Sequence, residues 1–143
     1  MPSDDNFTTL EIPIFPLPVV LLPSEVMPLH IFEERYKTML KDCLAGKKVF
    51  GISYHTEKDS WPPSLGKVGT IAQIMAVVPL DDGRMNILTI GTQRYRLKEY
   101  REQTPYLHAE VETFQDGSDD GSAQEMLPEI IALYKRASGA LKE

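Results

Sequence analysis

Hydrophobic positions are densest near the start of the chain, where proline repeatedly interrupts residues that favour strands. Between Ile12 and Leu29 most residues are Ile, Val, Leu, Phe or Pro. Proline fixes φ and removes a backbone donor, so strands end or bend at Pro13, Pro16, Pro18, Pro23 and Pro28. This pattern predicts short, strongly bent strands, as in a small barrel. It excludes a membrane-spanning helix, which needs about 20 consecutive apolar residues.

Further strands are predicted where apolar and polar residues alternate between turn sequences. Asp81, Asp82 and Gly83 indicate a hairpin turn, because Asp-Gly tolerates the positive φ of tight hairpins. The segments 19–22 and 26–30 are expected to form one strand, interrupted by a turn at residues 23–25. The predicted strands are Thr9–Phe15, Val19–Leu22 with Val26–His30, Lys48–His55, Val68–Leu80, Arg84–Tyr100 and Tyr106–Phe114.

Two segments have the 3.6-residue period of a helix. The first spans Phe32–Leu44, and we expect Phe32 and Tyr36 to be buried and to hold this helix on the barrel. The second spans Ser122–Glu143 and follows an acidic, glycine-rich linker at 115–121, whereas residues 1–8 are expected to be flexible. The prediction is therefore a mainly β fold, a barrel of about six strands with one packed helix and a C-terminal helix, in a domain spanning residues 9–114.

Length, charge and cysteine content narrow the function classes. The 143 residues fit one domain. The net charge of −6 disfavours a nucleic-acid partner, because binding to phosphate requires Lys and Arg. The one cysteine cannot form an internal disulfide, and the start of the sequence lacks the pattern of a secretory signal. We therefore expect a cytoplasmic location and no membrane partner.

The motifs for phosphate and zinc are incomplete. Gly66 and Lys67 are followed by Val68, whereas a phosphate-binding loop requires Ser or Thr there. The histidines at 30, 55 and 108 lack the four-residue spacing of a metalloprotease helix. Their convergence from separate strands stays open as an alternative to three structural or surface histidines. His30 precedes the first helix and is expected to make a local hydrogen bond.

Single catalytic candidates also have simpler structural explanations. Cys43 lies on the apolar face of the predicted helix, where a thiol is usually an inert core residue rather than a nucleophile. Asp81 and Asp82 precede a glycine, which favours a solvated turn over an acid–base pair. We therefore predict no catalytic residue, no bound metal and no cofactor.

Three apolar residues are candidates for binding a partner polypeptide. Trp61 lies in a proline-containing loop, Leu17 lies between two prolines, and Met27 precedes another proline. Aromatic and apolar side chains in such places anchor partners in many interfaces, although packing against the barrel is the alternative for each. A basic stripe of Arg94, Arg96, Lys98 and Arg101 is a weaker candidate, because a solvated strand face explains it as well.

Several motifs in order resemble the N-terminal, substrate-binding domain of Lon proteases. They are IPIFPLPVVLLP, MPLHIFEERY, VFGISYH, VGTIAQI, DGRMNILTIGTQRYRL and PYLHAEVE, and together they cover roughly residues 10–114. The resemblance implies a barrel like that of pseudouridine synthase and archaeosine transglycosylase (PUA-like) domains, with the first helix packed against it. It implies that family-signature residues are structural, namely Pro16, Pro28, Leu29, His30, Phe32, Glu33, Arg35, Tyr36, Gly69, Gly91 and Arg94.

The resemblance also implies a function. It indicates a non-catalytic module that binds unfolded or degron-bearing polypeptides in protein quality control, working with an ATP-dependent protease encoded elsewhere. The ATPase and serine–lysine protease domains have no counterpart in this sequence, which is either a stand-alone bacterial Lon-domain protein or an excised domain. Weak self-association is compatible with this role. The alternatives are a PUA-like RNA-binding module and a hydrolase in which His30, an aspartate or Cys43 converge in a cleft.

Overall fold

The computed structural model describes residues 7–114 together with residues 128–129, 131–133 and 136. All six strands of residues 7–114 belong to one sheet, and a helix lies between the second and third strands. The elements are β1 (Phe7–Leu17), β2 (Val26–Ile31), α1 (Glu34–Ala45), β3 (Val49–Tyr54), β4 (Val68–Pro79), β5 (Met85–Glu102) and β6 (Leu107–Phe114).

Five of these strands close into a barrel. The strand order is β2-β5-β4-β3-β1-β6, and a further pairing of β5 with β6 joins the two sides. β1 and β3 run parallel, whereas the other paired strands run antiparallel. Closure is possible because β5 is 18 residues long: its first part pairs with β2 and its last part with β6. The predicted mainly β barrel is confirmed.

The hydrophobic core consists of two clusters. The barrel cluster includes Tyr95 and Leu97 of β5, which pack against apolar residues of β1, β4 and β6. The helix cluster joins α1 to the sheet, and in it the ring of Phe15 contacts Tyr36 at 4.5 Å and Phe50 at 5.9 Å between centroids. Alternating burial along β6 matches a strand with one face inward.

The hairpin between β4 and β5 agrees with the sequence prediction. Pro79 pairs with Met85, and Gly83 has φ +90°, a conformation that side chains with a Cβ rarely adopt. β1 begins at Phe7 rather than Thr9, so part of the predicted flexible N-terminus is strand. The predicted linker at 115–121 and most of the predicted helix at 122–143 lie outside the described residues. The residues of the predicted helix that are described, 128–129, 131–133 and 136, are helical.

The prediction that Val19–Leu22 is strand was wrong. This segment forms an irregular connection between β1 and β2. Pro18 and Pro23 flank it and cannot donate to a ladder, and its carbonyl at Leu21 accepts a hydrogen bond from the Thr70 hydroxyl at 2.6 Å instead. The Thr70 hydroxyl thus takes the place of the backbone donor that a neighbouring strand would supply to Leu21.

The prediction that Phe32 is buried was also wrong, whereas that for Tyr36 is confirmed. Tyr36 is 4% exposed and Phe32 is 59% exposed. The helix begins at Glu34 with Glu33 as its N-cap, so Phe32 precedes it and does not share its inner face. The Phe32 ring stacks on the His30 ring, with 5.9 Å between centroids.

Candidate functional site

The connection between β1 and β2 is fixed to the barrel at several backbone atoms. Besides the bond from Thr70 to Leu21, the amide of Ser24 donates to the carbonyl of Gly91, and the amide of Gly91 donates to the carbonyl of Glu25, both at 2.8 Å. Within the connection, the Leu22 amide donates to the Glu25 carboxylate at 2.9 Å. Because its polar groups are bonded in this way, the segment has a defined conformation.

This hydrogen-bonded connection exposes apolar side chains to solvent. Leu21 is 1% exposed and enters the helix cluster, whereas its neighbours Val20 and Leu22 are 61% and 47% exposed. Together with nearby exposed residues of β3 and β4, they form the surface that we call the apolar patch: Val19, Val20, Leu22, Tyr54 and Val68. A contiguous exposed apolar surface of this kind typically marks a binding site.

A pocket of about 160 Å³ opens in the apolar patch. All members of the patch line it, and Gly69 and the buried Thr70 of β4 form part of its wall. Arg94 of β5 is the one charged residue among the described residues that line it. The pocket thus combines an apolar lining with a single cationic side chain.

Two predicted signature glycines adjoin this site, Gly69 in the wall of the pocket and Gly91 against the connection. A Cβ added at Gly91 would lie 2.3 Å from the carbonyl oxygen of Leu22, and one at Gly69 would lie 2.4 Å from the carbonyl oxygen of Ile52. Both distances are far shorter than any ordinary carbon–oxygen contact. The close approach of the connection to β5, and of β3 to β4, therefore requires glycine at these positions.

The three predicted anchor residues do not lie among the residues of the pocket. Leu17 and Met27 are half-buried against the helix cluster. Trp61 is half-buried against the barrel cluster, and its ring meets the His55 ring edge-on at 5.1 Å. A role for these residues in partner binding stays a prediction. The exposed members of the apolar patch were not predicted as site residues, although the run PVVLLP, with apolar residues between two prolines, was a signal for an apolar loop.

Six further signature residues lie in β1, in β2 or at the start of α1, and their structural role stays a prediction. Pro16 lies in β1, opposite Ser53 of β3, and Pro28 lies in β2, which is an edge strand as expected for proline. Leu29 packs against the helix cluster. At the start of α1, Arg35 is 3.2 Å from Glu33 and lies 4.8 Å above the Tyr36 ring.

The residues considered for catalysis have other partners. His30 Nδ1 is 2.7 Å from the amide oxygen of Asn86 on the neighbouring strand, so its hydrogen bond is cross-strand rather than local. Cys43 is buried and its thiol donates to the Val49 carbonyl at 3.4 Å. Burial, assisted by the charge of Asp42, raises the pKa of Cys43 to about 12, which suppresses the nucleophilic thiolate.

No group of three or more His, Cys, Asp or Glu side chains suited to a metal ion occurs within the described part of the chain. Asp82 bonds the backbone and guanidinium of Arg84 in the hairpin turn, and these hydrogen bonds lower its pKa. This supports a turn role for Asp82. No helix in the described ranges is long and apolar enough to cross a membrane.

Much of the predicted basic stripe is neutralised by neighbouring side chains. Arg101 pairs with Glu110 and lies 3.5 Å from Glu11, and Lys98 lies 3.9 Å from Glu112. The guanidinium of Arg96 lies over the Phe114 ring at 5.6 Å. A surface that binds phosphates needs uncompensated cations, so this arrangement lends no support to the RNA-binding alternative.

Comparison with known proteins relates the chain to one family. The model of the ATP-dependent protease La (LON) substrate-binding domain matches residues 11–143. Lon protease of Flavobacterium johnsoniae is 25% identical over 94% of this chain and 17% of its own length. Lon protease of Parabacteroides distasonis is 29% identical over 92% of this chain and likewise 17% of its own length. The chain thus spans about a sixth of these relatives.

Solved structures agree with this relationship. A Lon N-terminal domain protein from Xanthomonas campestris superposes with a TM-score of 0.64 at 28% identity, covering 87% of this chain and 74% of that one. The N-terminal domain of Mycobacterium avium complex Lon protease, at 17% identity, shares the fold with a TM-score of 0.54 over 91% of this chain and 70% of that one. The chain therefore belongs to the Lon substrate-binding domain family.

Proposed function

We propose that this protein is a non-catalytic recognition module that binds unfolded or degron-bearing polypeptides through the apolar patch. The observation that carries the proposal is the exposure of Val20 and Leu22 on a connection whose backbone is hydrogen-bonded to the barrel. Membership of the substrate-binding domain family supports the same role. An unfolded chain exposes apolar side chains that a folded protein buries, so the patch distinguishes the two states.

The fixed conformation of the connection also explains how a small surface can bind. Ordering a flexible loop on binding would cost free energy, whereas the bonds from Thr70 and Gly91 have already ordered this one. Contacts through side chains, without a rigid partner, give micromolar or weaker affinity, about −8 kcal/mol at best. Because the contacts are apolar, binding should be insensitive to moderate salt, unlike an interaction driven by phosphate groups.

We propose that an ATP-dependent protease carries out proteolysis and that the residues of this domain take no part in it. The aligned part of the Lon relatives is their substrate-binding domain, and an ATP-dependent protease encoded elsewhere would act on the polypeptides held here. We expect no peptidase activity from this chain with or without ATP, and a cytoplasmic location in which such a protease works. This proposal would be contradicted if the pure protein cleaved casein and a point substitution in this chain abolished the cleavage.

The test of binding is a titration with a reduced, unfolded model protein and with its folded form, at low and high salt. The parent should bind the unfolded form only, and Val20→Ser combined with Leu22→Ser should weaken binding at least tenfold, because two exposed apolar contacts are lost. Phe32→Ser is the matched control, since Phe32 is equally exposed but lies outside the patch.

Three results would overturn the proposal: equal binding of the folded form, collapse of binding at high salt, or parent-like binding by the double variant. Trp61→Ala tests the predicted anchor separately. If Trp61 only packs on the barrel, this variant binds as the parent does once its stability has been verified.

A further inference from the structure

We infer that the pocket of the apolar patch binds one Leu- or Phe-sized side chain and forms no backbone ladder with its partner. A segment made of D-amino acids should therefore bind as well as the natural one. This inference rests on the proposed function and adds the way in which the partner is recognised. Many domains bind an extended segment by adding it as a strand to a sheet edge, where main-chain hydrogen bonds supply the affinity. The described residues of this pocket do not offer such an edge.

The strands that line the pocket are interior strands of the sheet. β3 lies between β4 and β1, and β4 lies between β5 and β3. At Thr70, β4 pairs with Ile52 on one side and with Arg94 on the other. The two preceding residues, 68 and 69, pair with β5 alone. Successive residues of a strand direct their N–H and C=O groups to opposite sides, so these two offer one outward-facing residue at most, which is too few for a ladder.

Backbone groups around the pocket already have partners within the chain. The Tyr54 carbonyl accepts a hydrogen bond from the Lys67 ammonium, and the Leu21 carbonyl accepts one from the Thr70 hydroxyl, both at 2.6 Å. The one amide proton of Leu22 is used in the bond within the connection described above. The contact that these residues offer to a partner is therefore mainly the apolar surface of their side chains.

β2 is the strand to which a further strand could be added, because β5 is its one partner among the described strands. It contributes no residue to the pocket, and Pro28 within it has no amide proton to donate. Strand addition and side-chain binding would therefore occur at different places on the surface. The amides of β2 report on the first mode, and the methyl groups of the apolar patch report on the second.

The volume and lining of the pocket define what it accepts. An apolar cavity of about 150 Å³ accommodates benzene, so a pocket of about 160 Å³ accommodates one Leu- or Phe-sized side chain and no second one. Arg94, the charged residue of the lining, already interacts with another group of the chain. Apolar attraction is non-directional and follows the area removed from water, which is the same for a side chain and its mirror image. The handedness of the partner's backbone should therefore change the affinity little.

The experiment compares peptides of equal length that carry three separated Leu residues in a Ser/Gly background, made once from L- and once from D-amino acids. Chemical-shift titration of the full chain should give dissociation constants for the two peptides within about threefold of each other. Both peptides should shift the methyl groups of Val20, Leu22 and Val68, and neither should shift the amides of β2. Replacing every Leu by Ala should weaken binding at least tenfold in both series, because apolar area is lost.

Val20→Ser combined with Leu22→Ser should weaken binding of both peptides by the same factor, whereas Phe32→Ser, outside the patch, should change neither. Binding of the D-peptide more than about threefold weaker than that of the L-peptide, shifts of the β2 amides, or unequal effects of the double variant would overturn this inference while leaving apolar recognition intact. Failure of both Leu peptides to bind would instead overturn the proposed function. The ratio of the two affinities in the parent decides the question even if the double variant fails to fold.

Discussion

At the scale of single residues, the position of the apolar patch depends on Gly91, which has no side chain. Gly91 of β5 lies so close to the connection that a Cβ would be 2.3 Å from the Leu22 oxygen and 3.0 Å from the Leu22 carbonyl carbon. These neighbours are backbone atoms, and the Leu22 oxygen itself accepts a hydrogen bond from the Glu25 amide at 3.0 Å. They cannot move aside without breaking that bond.

Gly91→Ala should therefore destabilise the protein by about 1–3 kcal/mol, the range for forcing extra atoms into a packed site. It should also weaken binding of unfolded protein, because the connection that holds Val20 and Leu22 must shift. Urea unfolding and the titration described above measure the two effects. Glu99→Ala is the control on the same strand, since Glu99 is exposed, and should stay within about 0.5 kcal/mol of the parent. An unchanged unfolding midpoint for Gly91→Ala would show that the contact relaxes easily.

The sequence made Gly69 and Gly91 recognisable as signature positions but did not reveal why glycine is needed there. Each contact joins strands or loops far apart in the chain, so local propensity contains no information about it. The same reason explains the missed patch residues. Val19 and Val20 have strong strand propensity, and only the hydrogen bond from distant Thr70 shows that this segment is an exposed connection.

At the scale of elements, one side chain contributes most clearly to docking of the helix. Tyr36 is buried and its ring contacts Phe15 at 4.5 Å between centroids, whereas Phe32 lies outside α1 and contacts His30. Periodicity placed both residues on one helical face because it extended the helix backwards past its N-cap. Helix ends are set by capping geometry, here at Glu33, which hydrophobic spacing does not determine.

Tyr36→Ala should cost about 3–5 kcal/mol, as is typical when a large aromatic side chain is deleted from a core. Phe32→Ala should cost less than about 1 kcal/mol, because its ring is already largely in solvent. Chemical unfolding of both variants against the parent measures the difference. Equal losses for the two variants would mean that Phe32 supports the helix in solution.

At the scale of the whole molecule, the succession of strands along the chain and the hairpin between β4 and β5 could be anticipated, whereas their order in the sheet and the closure of the barrel could not. Alternation along the chain predicted the strands near 49–54, 68–79, 85–102 and 107–114 with small errors at their ends. The pairing of β5 with three strands is a property of the three-dimensional arrangement, and its sequence shows only an unusually long alternating segment. The resemblance to Lon N-terminal domains supplied the barrel that periodicity alone left open.

One thiol and several tyrosine hydroxyls are buried in their neutral forms, so the folded state should lose stability at alkaline pH. Burial raises the pKa of Cys43 from about 9.0 to about 12, and it also raises the pKa of Tyr36, Tyr95 and Tyr106. A folded pKa above the unfolded one means that the unfolded chain loses its proton first. This stability is therefore complete below pH 9 and is lost progressively as the pH rises towards 12.

Thermal unfolding should show a falling Tm above about pH 9, with Cys43 contributing at most about 4 kcal/mol of the loss. Cys43→Ala should show a smaller decrease over the first part of this range, because tyrosine ionisation begins at higher pH. A Tm that stays constant up to pH 12 would contradict the burial of these groups.

The pairing of the first strand with the last also affects how quickly the chain can fold. Phe7 lies opposite Phe114, so the barrel closes only after residues at nearly opposite ends of the described 7–114 segment have met. Proteins dominated by such distant pairings fold in milliseconds to seconds rather than microseconds. During synthesis, β1 must wait for β6 to leave the ribosome, and until then its apolar edge is open to other chains. Stopped-flow refolding should place this module in that slow range. A module that we propose to recognise unfolded proteins would thus itself stay unfolded for a long time during its own synthesis.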